Sequence, residues 1–138
     1  MSPLFAAMAV AAVAAAAAQS SAIPGLDITV SRVERASSAS LRDCPPGTNT
    51  VSAVTRPGEQ FALVTVAFKV GPGFKPAPMK RPTASDAAGK NYFTPSQFVD
   101  VGSVPEFSCT FPFRVPEGTK LKTLKIESAS LDLSALDK

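Results

Sequence analysis

Apolar and polar residues alternate with a period of two along much of this chain, most cleanly between Phe107 and Val115. Phe107, Cys109, Phe111, Phe113 and Val115 share one face, and Ser108, Thr110, Pro112 and Arg114 share the other. That alternation predicts a half-buried strand with Cys109 turned to the core. Pro112 has no amide hydrogen for a neighbouring strand, so the strand is expected at a sheet edge or bulged there. A second strand is predicted over Phe61 to Val70, where Val64, Val66, Phe68 and Val70 oppose Phe61, Leu63, Thr65 and Ala67. Both faces are largely apolar, which suits a central strand covered on both sides.

Weaker signals fill in the rest. Leu26, Ile28 and Val30 alternate with Asp27, Thr29 and Ser31, giving an opening strand that ends near Val33. Thr50 to Thr55 reads as a short edge strand before the turn Arg56-Pro57-Gly58-Glu59. Arg81–Ser85 and Lys90–Phe93 flank Asp86-Ala87-Ala88-Gly89, a hairpin signal with a glycine free to take a positive φ. Leu124 and Ile126 alternate with polar neighbours while Leu121 is out of phase, so a bulge or a strand start is expected near Thr123. Residues 129–138 extend that strand or fray. Lys120, Lys122 and Lys125 look like charges that keep an exposed strand from pairing with another chain. Gly71-Pro72-Gly73-Phe74-Lys75-Pro76-Ala77-Pro78 is too rich in proline for a helix or an inner strand and predicts a long surface loop. With no sustained helical period after Ala22, the expected fold is all-β, an antiparallel sandwich of about seven short strands.

The start of the chain differs from all of this. Met1 to Ala22 holds eleven alanines and no charged side chain, and the apolar run Leu4 to Ala18 is followed by small residues suited to cleavage. Ser20 and Ala22, or Ala16 and Ala18, fit the −3 and −1 positions of an export-signal cleavage site. A basic residue before the run is missing. The run is shorter than the roughly 20 strongly apolar residues of a membrane anchor, so no stable span is expected in the mature protein. Residues 1–22 are therefore read as a signal peptide and 23–138 as a single exported domain, secreted or held in the periplasm or cell envelope.

Compartment changes how the cysteines read. The chain has only Cys44 and Cys109, and outside the cytoplasm such a pair most simply forms one disulfide. Two thiols with no histidine anywhere make a poor metal site.

The order Gly58-Glu59-Gln60-Phe61, Val64-Thr65-Val66, Asp86-Ala87-Ala88-Gly89-Lys90-Asn91-Tyr92 and Phe111-Pro112-Phe113-Arg114-Val115-Pro116-Glu117-Gly118 carries a resemblance. It is similar to the small secreted immunoglobulin-like domains grouped as a bacterial domain of unknown function, which include extracellular immunoprotective antigens. The likeness spans roughly residues 28–126 and departs where Lys69-Val70-Gly71 stands in place of the usual Asn after the central strand. It implies an Ig-like sandwich with an adhesion or binding role and brings no catalytic residues. The absence of tryptophan sets the chain apart from antibody-type domains.

Candidate chemistry is sparse. Without histidine there is no Ser-His-Asp or Cys-His machinery and no imidazole base. A carboxylate hydrolase would have Asp100 and Glu106 to work with, and calcium would have scattered acids such as Asp86 or Asp100; both readings are weaker than solvated loops. A net charge of +3 from fourteen basic and eleven acidic side chains is too mild for nucleic acid, and no cofactor motif is present. The expected function is non-enzymatic binding of an extracellular or envelope protein or polysaccharide through loops or a sheet edge. Phe74, Lys75, Met79, Lys80 and Arg81 on the proline-rich loop are the candidate contact residues. The alternative is a structural or accessory envelope protein that self-associates, by strand addition at the Pro112 edge.

Overall fold

In the computed structural model the described residues are 19–20, 23–47 and 50–138. They form ten strands: β1 (Gln19–Ser20), β2 (Leu26–Ala36), β3 (Ser38–Leu41), β4 (Val51–Val54), β5 (Glu59–Val70), β6 (Thr83–Asp86), β7 (Asn91–Phe93), β8 (Glu106–Pro116), β9 (Leu121–Ile126) and β10 (Ala129–Asp132). The expected leader, residues 1–22, lies outside them except for Gln19 and Ser20.

The strands pair antiparallel into a three-stranded sheet β2-β5-β8, a five-stranded sheet β1-β10-β9-β6-β7 and a separate hairpin β3-β4. The alternation in β8 registers on that in β5, with Cys109 opposite Val66, Phe111 opposite Val64 and Phe113 opposite Ala62. Directly opposed residues share a face, so these side chains form one apolar wall. Leu124, Ile126, Ala129 and Leu131 supply the other, and buried residues of both sheets join in one cluster. Phe98 packs edge-on against Phe68 and Phe111, with ring centroids 5.7 Å apart in each pair.

Several expectations hold in detail. β8 is an edge strand, and Cys109 is bridged to Cys44. Residues 83–93 form the predicted hairpin. Ser85 pairs with Thr123 but Asp86 with Leu121, so Lys122 is the extra residue that lets out-of-phase Leu121 turn inward.

Others are corrected. β2, β5 and β8 are long, not short, and β2 continues to Ala36 across a bulge between Val30 and Arg32. The outer face of β5 is only partly covered, because just Phe61 is fully buried there while Leu63, Thr65 and Ala67 keep partial exposure. Residues 129–132 neither extend β9 nor fray: a two-residue turn at Glu127 (φ 52°) and Ser128 folds them back as β10. Lys122 and Lys125 lie on β9, an inner strand, so they solvate a sheet face and guard no edge.

One polar lock closes the end of the molecule away from the proline-rich loop. Asp137 is buried, pairs with Arg35 Nη2 at 2.5 Å and accepts the Leu121 amide at 2.7 Å, while the same Arg35 nitrogen donates to the Thr119 carbonyl.

A candidate binding surface at the proline-loop end

β5 carries the chain from Glu59 at one end of the three-stranded sheet to Val70 at the other, where Gly71 begins the proline-rich crossover to β6. The crossover is seated on Gly25. The Gly71 amide donates to the Gly25 carbonyl at 2.7 Å, and a Cβ on Gly25 would lie 2.2 Å from the Phe74 nitrogen. Gly25 has φ 77°, so both its backbone conformation and its missing side chain are needed here. Farther along, the Lys80 amide donates to Glu127 Oε2 at 2.6 Å, tying the loop to the β9–β10 turn. The loop is thus anchored at both ends.

The five candidate residues play different parts. Phe74 and Met79 are half-buried and pack against the core cluster. Phe74 also lies against Gly102, where an added Cβ would come within 3.2 Å of its ring. They shape the surface more than they project from it. Lys75 and Lys80 are exposed. Arg81 is exposed as well, with its Nη2 3.4 Å from Gln97 Oε1, so it leans toward the 94–99 segment.

Two grooves flank the loop. One, of about 220 Å³, is lined by Ile23, Pro24, Phe74, Lys75, Pro78 and Met79 together with Glu127. The other, of about 500 Å³, runs between Pro76–Met79 and Phe98–Val101. Pattern reading missed the contribution of residues 98–105, because that loop lacks alternation. Val99 and Val104 are nevertheless exposed there, and Asp100 takes φ 50°. The result is an apolar surface built from two loops and the segment Ile23–Pro24, edged by two lysines and by Asp100 and Glu127.

The disulfide works at the side of the molecule. Cys44 sits in the β3–β4 loop, its amide donating to the Gln97 carbonyl at 2.8 Å and its carbonyl accepting from Val99 at 2.7 Å. Bonded to Cys109, it straps segment 97–99 along the open edge of β8. Pro112, the other feature of that edge, is buried. A second exposed apolar patch lies nearby, where Phe93 on β7 stands over a groove of about 300 Å³ lined by Leu41, Ala53, Phe61, Pro95 and Pro112. Val51, opposite Leu41, and Val54 are also exposed.

The chemistry-bearing residues do not converge. Asp100 lines the groove beside the proline loop, whereas Glu106 lines a concavity of about 760 Å³ on the outer face of β2-β5-β8 with Asp27, Thr29, Lys69 and Ser108. Asp86 is engaged in its own hairpin. Oδ1 accepts the Ala88 and Lys90 amides at 3.0 and 2.9 Å, and Oδ2 accepts the Tyr92 hydroxyl at 3.0 Å. The Lys90 amide is the main cause holding the Asp86 carboxyl below the ordinary aspartate range, while burial, then the bond to Asp86, pushes the Tyr92 hydroxyl up. Among the described residues no three metal-ligating side chains cluster, and no helix is long and apolar enough to cross a membrane. No protein-family model, curated protein or solved structure matches the chain.

Proposed function

We propose that this chain is an exported, non-enzymatic Ig-like β-sandwich that binds an extracellular or envelope macromolecule, protein or polysaccharide, through the proline-loop end. The strand order supports the fold reading. β2-β5-β8 and β10-β9-β6-β7 follow the immunoglobulin orders A-B-E and G-F-C-C′. The bridge differs, since it ties an A–B insertion to strand E, where antibody domains join B to F.

The observation that carries the binding reading is the seating of the loop. A proline-stiffened segment pinned by Gly25 and Glu127 presents apolar grooves edged by Lys75 and Lys80, so little conformational freedom is lost on binding. Replacing Lys75, Lys80 and Arg81 together with Ser is expected to weaken retention of the protein on its host's isolated envelope at unchanged melting temperature. Unchanged retention refutes the assignment of the site.

The exposed Phe93, Val51 and Val54 favour a second reading, in which copies of the chain associate side by side. Sedimentation over a hundredfold concentration range separates the two. A mass that rises with concentration and falls back in Phe93→Ser supports association; a constant monomer excludes it.

A further inference from the structure

We infer that the mature chain begins at Gln19, by cleavage of the Ala18–Gln19 bond, and that Gln19 and Ser20 are retained as a strand of the fold. The inference rests on the export reading and moves its boundary, since the sequence offers a second cleavage site besides the one after Ala22 that gives residues 1–22. Ala16 and Ala18 place small residues at −3 and −1 of one bond, and Ser20 and Ala22 do the same for another.

The structure distinguishes between them. Gln19 pairs with Leu131 and Ser20 with Ser130, so β1 lies along the outer edge of β10. Cleavage after Ala22 would remove it, whereas cleavage after Ala18 would keep it whole.

The other sheet edges show what an uncovered β10 would lack. β2 carries Asp27, Arg32 and Glu34 and is bulged after Val30. β8 has Pro112 at its middle and the Cys44 strap alongside. β7 is only three residues long. β10, Ala-Ser-Leu-Asp, has one terminal charge, Asp132, but neither proline, lysine nor bulge, and β1 covers it along Ser130 and Leu131. Bare edges of this kind pair with other chains.

The step is a hydrolysis by an endopeptidase that selects small residues. Water supplies the hydroxyl taken by the Ala18 carbonyl carbon and the hydrogen taken by the Gln19 nitrogen, and the peptide bond between them breaks. The new terminal glutamine can then close on itself, its amine displacing ammonia from the side-chain amide, so either mass marks the same cut.

The test is the intact mass of the protein exported by its native host. A chain starting at Gln19, with or without loss of ammonia, is the expected result. A start at Ile23 overturns this inference and leaves export standing, and retention of Met1 overturns both. Independently, the 19–138 and 23–138 forms are compared by hydrogen exchange: β10 amides are expected to lose protection in the shorter form. Equal protection in the two forms removes the structural ground for the assignment.

Discussion

Removing the staple should expose how much of this small fold depends on it. Cys44 and Cys109 are 65 residues apart, and in the chain-entropy model a loop of that length restricts the denatured chain by about 4 kcal/mol. Domains of this size have about 5–15 kcal/mol in all, so the double variant Cys44→Ala/Cys109→Ala should fold but be marginal. Its melting temperature should fall by about 15 °C, taking about 4 °C for each kcal/mol at this length. Alanine is the informative replacement, because both sulfurs are buried and a serine hydroxyl there would lack a partner. Urea unfolding of the oxidised protein, the reduced protein and the double variant separates the effects. Reduction alone keeps the packing and frees the denatured chain, so the midpoint should fall and the slope m should rise as that chain expands. The further fall in the double variant reports the lost sulfur packing. The reasoning is refuted if reduction lowers stability by less than about 1 kcal/mol with m unchanged, because constraint of the denatured chain would then not be the source.

Other consequences follow from particular contacts. Asp137→Ala should cost about 3 kcal/mol in urea unfolding, since it strands Arg35 beside the core and leaves the Leu121 amide unpaired; Arg35→Met in the same chain should recover much of it. Gly25→Ala should cost about 1–3 kcal/mol and raise hydrogen exchange across residues 71–80, because the new methyl collides with the Phe74 backbone. Gly58→Ala, at φ 87° in open space, should cost only about 1 kcal/mol and leave that loop protected. The Asp86 hairpin should weaken at both pH extremes. A depressed aspartate contributes stability that is whole above its unfolded value of 3.8 and lost as pH falls through its folded value. A raised tyrosine contributes stability that is whole below 10.0 and lost as pH rises through its folded value. The stability gap between the parent and Asp86→Asn should therefore close in acid, and an equal gap at every pH contradicts this.

How much the sequence foretold depended on the range of the interaction. β5, β8 and the 83–93 hairpin were legible because alternation and turn residues are local, and Leu121 betrayed its bulge by being out of phase. The β3–β4 hairpin was half hidden: Ser38, Ala39 and Ser40 have too little apolar contrast to mark a strand. β10 was hidden because Glu127, not a glycine, takes the positive φ in its turn. Arg35 and Asp137 are 102 residues apart, and nothing local announces that these two charges share one buried site. At the candidate surface, composition located the proline-rich loop and its exposed lysines. Only the folded chain shows that Phe74 and Met79 turn inward, that residues 98–105 complete the surface, and that Phe93 faces out once Tyr92 is committed to Asp86.

The binding claim is tested most directly by where the protein touches its partner. A photo-crosslinking side chain is placed at Lys75 in one protein and at Glu117 in another, positions in the loops at opposite ends of β5, a strand that spans roughly 35 Å. Each protein is expressed in its native host and irradiated there. The account predicts one discrete adduct from position 75, reduced by Lys80→Ser/Arg81→Ser, and none from position 117. Adducts of equal yield from both positions, or none from position 75, would contradict it.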